Sequence, residues 1–213
     1  MTDQLAVTIV ADVKPRRRAS LKRLLTIMGE DAAGNEVLPL GELSTAHFAR
    51  LMMLDATKDL DGNPLPAHLI YMSDVDGSLE DHLEELVDLA PKGLDQILEH
   101  CQGYPARNAA TRDTRLAYLT DRAVKAGAMY VNTVGRTLRQ VQDEAGLREA
   151  IQVFLDSGDF DGVEPEAVRD AIRRFVQARE DLRWATEPPP APGPLERAAD
   201  LVGALGLPLE LAA

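Results

Sequence analysis

Polar side chains within strand-like segments are the residues of this chain best suited to chemistry. His47 and Arg50 lie in residues 45–55, and Tyr71 lies in residues 67–76, two runs rich in strand-forming types. A buried strand face does not tolerate a polar group without a partner, so each such group either serves a site or is paired. The residue types indicate anion binding by the guanidinium and proton transfer or metal binding by the imidazole.

Strand alternation predicts that His47 and Arg50 point to opposite faces, so one pocket holds both only if a bulge intervenes. Arg50 is a candidate to fix an anionic substrate, and the alternative is an ion pair with Asp74 or Asp76 across the hairpin. His47 is a candidate general base or metal ligand, and its alternative is a hydrogen-bonded residue at the strand edge. The sequence leaves these alternatives open.

A second group of reactive types, His100, Cys101 and Tyr104, falls where the predicted second helix ends. His100 is a candidate ligand, and the alternative is a favourable interaction between its imidazole and the helix dipole. Cys101 is either reactive or simply packed in the core. As the chain's single cysteine it excludes an intrachain disulfide and a cysteine-cluster metal site, which fits a reducing compartment.

Residues 128–133, A-M-Y-V-N-T, are rich in strand formers and carry Tyr130 and Asn132. Alternation places both side chains on one face of a predicted fourth strand. Together with Arg50 or Tyr71 they would line a pocket of mixed polarity, which is the usual composition of a small-molecule site. The alternative is hydrogen bonding across an interface between two copies of the chain.

His68 and His82 carry weaker indications of function. His68 begins a predicted strand and His82 lies in an acidic helix beside Asp81 and Glu85, so both imidazoles are expected to be exposed. His82 and Glu85 are one helical turn apart, but the H-E-x-x-H pattern of a zinc site is absent from the sequence. No metal site is predicted.

The elements that carry these residues are predicted in the order strand, helix, strand, strand, helix, strand. The strands are expected at 5–13, 45–55, 67–75 and 128–133, and the helices at 16–28 and from the N-cap Ser78 onward, with a break at Pro91. The turn-forming run at 61–64 predicts that the second and third strands form a hairpin. The fold class is therefore α+β: a ferredoxin-like β-α-β-β-α-β unit with an antiparallel sheet, followed by a helical C-terminal region.

This pattern, over residues 5–133, resembles the ferredoxin-like domains of the dimeric α/β-barrel superfamily, which includes antibiotic-biosynthesis-type monooxygenases, chlorite-dismutase-like proteins and dye-decolourising peroxidases. Both helices of such a domain cover one face of the sheet, and two facing sheets close a barrel. The resemblance implies a homodimer that binds a small, mostly apolar ligand in the barrel. Oxidation of that ligand, by a monooxygenase-like or peroxidase-like reaction, is the activity to test.

The resemblance extends to a short motif. The peroxidases of the superfamily carry G-x-x-D-G, whose Asp works near a heme, and residues 73–77 of this chain, S-D-V-D-G, keep the terminal Asp-Gly. The resemblance thus implies Asp76 as a catalytic candidate with Arg50 and His47, Arg50 holding a heme propionate or a peroxide oxygen. Heme is the first cofactor to test, with His100 as the first choice of axial ligand and His47 as the second. The other cofactor-binding candidates are Tyr71, Tyr130 and Asn132.

Three regions are predicted along the chain: an α/β-barrel domain at 1–134, a helical extension at 135–187, and a proline-rich linker with an apolar tail at 188–213. The run from Pro188 to Pro194, P-P-P-A-P-G-P, predicts an extended spacer. The alternative function is therefore a non-catalytic interaction protein whose tail docks on a protein partner. Its layout is similar to that of the cargo-loading tails of enzymes packaged inside protein shells. The tail docking on its own chain is a further alternative.

Composition narrows the classes of partner. The net charge of −12 repels phosphate backbones, so nucleic acid is not expected as a partner. The N-terminal residues do not form a basic segment followed by an apolar stretch, and no run approaches the ~18 apolar residues of a membrane span. These features predict a soluble, cytoplasmic protein. Because only 4% of the residues are aromatic, the core is expected to be mainly aliphatic.

Overall fold

The computed structural model describes residues 4–131 and 135–187 of the chain. The chain divides into two compact units that part between residues 133 and 134. The predicted linker and tail at 188–213 lie outside the described residues. Within the described ranges, no helix combines the length and the apolarity that crossing a bilayer requires.

The first unit mixes strands with helices, which confirms the predicted α+β class. Its elements are β1 (Gln4–Asp12), α1 (Arg18–Met28), β2 (Ala46–Leu54), β3 (Thr57–Lys58), β4 (Pro64–Leu65), β5 (His68–Asp76), α2 (Leu79–Leu89), α3 (Pro91–Leu98) and α4 (Arg112–Thr120). The predicted first three strands and first two helices match elements of the structure to within a few residues, and the second helix is divided into α2 and α3.

β1, β5 and β2 form an antiparallel sheet with β5 in the centre. β2 and β5 are the arms of the predicted hairpin, and the short β3–β4 ladder lies in the link between them. The link turns at Gly62, whose φ of +86° is a left-handed conformation that favours glycine. The Asp59 carboxylate supports this turn by accepting hydrogen bonds from the backbone N–H groups of Asp61 and Asn63.

The predicted fourth strand is wrong over residues 128–131, which form no strand, and residues 132–133 lie outside the described part of the chain. The chain meets the outer edge of β1 earlier, at Ala123, which forms an isolated antiparallel bridge with Ile9. Strand propensity is a weak guide at a sheet edge, because the path of the chain after α4 decides which residues reach β1. A four-stranded ferredoxin-like order stays a prediction.

Apolar side chains from one sheet face and from the helices form a single core. The odd-numbered residues of β1 and β5 point to this face, as the two-residue period of a strand requires. The buried cluster includes Val7, Ile9, Leu69 and Val75 from the sheet and Leu21, Leu83, Leu86 and Ile97 from the helices. Burial of each such side chain stabilises the fold by roughly 1.5–3 kcal/mol.

Local features set the boundaries of α2 and α3. The Ser78 hydroxyl accepts a hydrogen bond from the backbone N–H of Asp81, so Ser78 is the predicted N-cap. Pro91 opens α3 and divides the predicted helix in two. Gly93 of α3 packs directly on the backbone of Val37, where a Cβ would overlap the carbonyl oxygen. This close approach requires glycine at position 93.

The regular elements described for the second unit are all helices. It contains α5 (Leu138–Ser157), α6 (Pro165–Ala178) and a 3-10 helix, Glu180–Thr186. Thr137 caps α5 with a capping box, and the rings of Phe154 and Phe175 stack with centroids 4.4 Å apart. Among the residues described for this unit, the buried hydrophobic side chains are Val176 and Leu182.

Candidate functional site on the open sheet face

The candidate site is the sheet face opposite the core, which we call the open face. The register places on it Gln4, Ala6, Thr8, Val10 and Asp12 of β1; Phe48, Arg50, Met52 and Leu54 of β2; and His68, Ile70, Met72, Asp74 and Asp76 of β5. Phe48 is 75% exposed, and Leu54, which is paired with His68 at one end of the sheet, is 49% exposed, so apolar area of this face remains in contact with solvent. Polar and charged residues lie at both ends of the face.

A β-bulge between Ala46 and Phe48 brings His47 to one end of the open face. The His47 Nε2 atom lies 2.9 Å from Oδ1 of Asp76 and 3.3 Å from Nε2 of Gln4. Gln4 and Asp76 are paired across β1 and β5, so this cluster draws one residue from each strand of the sheet. The His47 and Asp76 side chains are only 13% and 8% exposed. This carboxylate therefore orients the imidazole.

Arg50 lies in the middle of the open face, directly opposite Met72 in the register. Its side chain is exposed, and within the described residues no hydrogen-bond or ion-pair partner is found for it. The ion pair with Asp74 or Asp76 that the sequence left open is thus not formed in the described part of the chain. A shallow depression of about 390 Å³ surrounds this position, lined by Ala6, Thr8, Phe48, Arg50, Met72 and Asp74 among others.

A second imidazole–carboxylate pair lies at the other end of the open face. His68 and Asp12 are opposite each other in the β1–β5 register, and Nδ1 of His68 lies 3.0 Å from Oδ1 of Asp12, a close contact whose angles do not make a hydrogen bond. The His68 side chain is 30% exposed, so the expected exposure of this residue is only partial. The apolar centre of the open face is therefore bounded by two such pairs.

Tyr71 points away from the open face and into the core, where its hydroxyl lies 2.9 Å from Nε2 of His82. The prediction that His82 is exposed is wrong, since only 1% of the residue is accessible. Asp81 is exposed and the Glu85 carboxylate accepts hydrogen bonds from the segment that precedes β2, while the imidazole faces the sheet, a consequence of helical periodicity. Burial raises the pKa of Tyr71 to about 12 and lowers the pKa of His82, although nearby Glu85 opposes the second shift.

The surroundings of His100 do not fit an axial heme ligand. The residue is 5% exposed, and its Nδ1 atom lies 3.0 Å from the carbonyl oxygen of Gln96 within the last turn of α3. The cavity inside the apolar core, lined by Ile9 and Leu86 among others, measures about 30 Å³, roughly the space of one water. Heme binding at His100 would require the core to open. The helix-end alternative for His100 agrees with this geometry.

Cys101 is fully buried, and it belongs to the core cluster of the first unit. Burial raises the pKa of its thiol to about 12, which the nearby positive charge of Lys14 only partly offsets. Because the thiolate is the reactive species, this thiol is inert in the folded chain. The packing alternative for Cys101 therefore describes its role.

Tyr130 and Asn132 do not extend the site as predicted. Tyr130 is 86% exposed and belongs to no strand, while Asn132 lies outside the described residues. Tyr71 faces the helices and Arg50 faces the open side, so the sheet separates these two side chains. A pocket that contains both therefore does not form.

Sequence reasoning missed a buried polar network between α3 and α4. Arg115 donates to both carboxylate oxygens of Asp95, at 2.8 and 2.6 Å, and the Tyr104 hydroxyl donates to the same carboxylate. Tyr104 also packs edge-on against Tyr118. An Asp in the apolar stripe of α3 was the available indication, because a buried carboxylate needs a charged or donating partner. The network holds α4 against α3.

The open face thus supplies a guanidinium, two imidazole–carboxylate pairs and an apolar floor. No cluster of three or more His, Cys, Asp or Glu side chains suited to a metal ion occurs within 4–131 and 135–187. Comparisons of the chain with protein-family models, with curated proteins and with solved structures give no match.

Proposed function

We propose that the open face binds a small, mostly apolar molecule that carries an anionic group, with Arg50 as the anion contact. One observation supports this proposal: an exposed guanidinium, without a partner in the described residues, lies in the middle of a strand face of mixed polarity beside Phe48 and Met72. Phe48, Met52 and Met72 would contact the hydrocarbon part of the ligand. A ligand of this class satisfies both the apolar floor and the cation.

Because the whole chain is strongly acidic, the position of Arg50 determines where on the open face an anion is expected to bind. A net charge of −12 disfavours anions over most of the surface, so an anion is expected to bind where a local cation is combined with apolar contact. A hydrogen bond to a charged group contributes about 1.5–3 kcal/mol, which corresponds to roughly 10–100-fold in affinity. Loss of the guanidinium should therefore have a measurable effect on binding.

The proposal includes a homodimer. Phe48 and Leu54 leave apolar area in contact with water, and the open face of a second copy would cover it and enclose the ligand between two sheets. Such a contact uses the same patch on both chains, as a twofold dimer requires. The dimer expected from the resemblance and the ligand site thus share one surface.

His47 and Asp76 complete the proposed site at one end. An imidazole held by a carboxylate is an arrangement in which histidine accepts a proton from a bound ligand. Oxidation of the ligand, which the resemblance implies, stays a prediction. In such a reaction the His47–Asp76 pair would act as the proton acceptor.

Titration calorimetry with decanoate, an apolar chain ending in a carboxylate, tests the ligand part of the proposal. We expect the full-length chain to bind decanoate and Arg50→Gln to bind it about tenfold more weakly or worse, with partial recovery in Arg50→Lys. Arg23→Gln removes an exposed arginine of α1 and should leave the affinity unchanged. Equal affinities for Arg50→Gln and the unaltered chain would overturn the assignment.

Sedimentation velocity tests the dimer separately. The unaltered chain is expected to sediment as a dimer, and Phe48→Asp as a monomer, because the new carboxylate would be buried against its own symmetry mate. Leu60→Asp, on the fully exposed link between β3 and β4, is the matched control and should not change the oligomeric state. A monomeric unaltered chain would reject the dimer and leave the decanoate result standing on its own.

A further inference from the structure

The second unit contains an apolar groove between α5, α6 and the 3-10 helix that follows. Its floor is formed by Leu147, Ile151, Ile172 and Val176, and its rim includes Arg173, Gln177, Ala185 and Thr186. The groove encloses about 370 Å³. Leu147, Ile151 and Ile172 are all partly accessible, so the floor is in contact with solvent.

This unit is short of buried surface. α6 carries a marked apolar stripe, yet among the described residues of this unit only Val176 and Leu182 are buried hydrophobic positions. In proteins, a helix gains most of its stability by packing its apolar face against other elements. A two-helix hairpin is too small to bury much apolar surface in this way. An additional segment over the groove would supply the missing burial.

The chain itself provides a segment of suitable composition and position. Ala185 and Thr186 lie at the rim of the groove, and the next residues are the spacer at 188–194. In the extended conformation that its prolines favour, a spacer of that length would reach roughly 20 Å, at about 3.1 Å per residue. Residues 195–211 follow and carry an apolar set at 195, 201, 202, 205, 207, 209 and 211. The spacer is thus long enough for these residues to return to the groove.

The geometry points to the groove as the docking site of the chain's own tail, residues 195–211, in cis. Charge is compatible with this occupant, because residues 195–211 carry three acidic side chains against the single Arg197, and Arg173 at the rim, which pairs with Asp170 of the same helix, is 65% exposed. The inference is independent of the open face, since it concerns only the second unit and the residues that follow it. The tail would then cover the hairpin in place of a protein partner.

Site-directed crosslinking in the full-length chain tests this inference. A cysteine pair at Gln177→Cys on the groove rim and Ala204→Cys in the tail should react with a flexible bis-maleimide to give an intrachain product. The matched control pair combines Ala204→Cys with Glu149→Cys, in a separate depression of the same hairpin. We expect the groove pair to crosslink about tenfold faster than the control, because docking raises the local concentration of the tail. The native Cys101 is buried and should not compete.

A second substitution separates docking from mere proximity. Leu201→Asp with Leu205→Asp should remove the rate advantage of the groove pair without changing the control pair, since charged side chains do not enter an apolar groove. Equal rates for the two pairs, a rate advantage that survives the double substitution, or a product that links two chains in place of one would each overturn docking in cis.

Discussion

The two units of this chain are held together in different ways. Residues 4–131 contain a continuous buried cluster that joins one sheet face to four helices, together with the buried Asp95–Arg115 ion pair. Residues 135–187 depend on a capping box at Thr137, stacked phenylalanine rings and ion pairs at the surface. In the first unit, individual side chains are fixed by their neighbours on all sides. In the second, most side chains have solvent on at least one side.

The difference indicates what a substitution would do in each unit. Truncating a side chain in a packed core lowers the free energy of unfolding twice over, because hydrophobic burial is lost and a cavity is left behind. At a partly exposed helix position, truncation changes the free energy of unfolding mainly through the helix propensity of the new residue. Matched substitutions, one in each unit, therefore measure how much of the fold depends on packing. The expected changes in the free energy of unfolding range from values large enough to prevent folding down to about a few tenths of a kcal/mol.

The largest contrast is expected between two helical glycines. Gly93→Ala places a Cβ in the backbone of Val37 and should destabilise the first unit by about 4 kcal/mol or more, because backbone cannot yield as a side chain end does. Gly146→Ala in α5 meets open space and should stabilise the helix by about 0.5–1 kcal/mol. Urea denaturation followed by circular dichroism measures both. Comparable stability of the two variants would show that the Gly93 contact is not needed.

The next effect concerns ion pairs of different burial. Arg115→Met leaves the Asp95 carboxylate buried without its charged partner and should cost about 3–5 kcal/mol. Arg112→Met removes an exposed pairing with Asp88 and Glu84 and should leave the urea midpoint almost unchanged, because solvent already screens these charges. If both variants lose the same stability, burial does not determine the contribution of the Asp95 pair.

A smaller difference is expected for two leucines. Leu83→Ala in α2 creates a cavity at a position only 1% exposed and should cost about 2–5 kcal/mol. Leu155→Ala in α5 removes a partly exposed side chain that does not line the groove and should cost about 1 kcal/mol or less. Thermal unfolding of the two variants measures the ratio of the two losses. A larger loss for Leu155→Ala would place the denser packing in the second unit.

The smallest predicted effect is a pH dependence from His82. Burial lowers the pKa of His82 in the folded chain. The unfolded chain, in which a histidine has a pKa of about 6.5, therefore binds this proton more tightly than the folded chain does. Stability should therefore be complete above that value and decrease as the pH falls below it. Urea midpoints between pH 5 and 8 should show this decrease in the unaltered chain and in His68→Gln, whose imidazole is partly exposed. His82→Gln should reduce the decrease, and an unaltered pH profile in that variant would contradict the assignment.

Much of the first unit follows from sequence because its elements obey short-range rules. The two-residue period of β1, the turn at Gly62 and the Ser78 N-cap each follow from residue types a few positions apart. The bridge at Ala123 does not, since it depends on where the chain after α4 meets β1. The burial of His82 could not be predicted from the sequence either. Its acidic neighbours suggest a solvated helix, and only the packing of α2 shows which of its faces is buried.

The candidate site was predictable in part. Alternation alone correctly assigns Arg50 to the face of Phe48 and Met52, whereas the placement of Tyr71 on the opposite face follows only from the β2–β5 register. The contact between His47 and Asp76 was not foreseen, since a bulge is not encoded by any short residue pattern in residues 45–55. Long-range pairing decides such irregularities, which explains why the identities of the site residues were easier to predict than their grouping.

The bulge at His47 lies at the start of β2, between Ala46 and the regular ladder that begins at Phe48. Because the extra residue absorbs the change of phase, alterations in the loop before Ala46 need not rotate the strand that carries Arg50. A deletion of one residue at the bulge would restore strict alternation and turn either the imidazole or the guanidinium toward the core, so changes of length there are expected to succeed only in steps of two residues.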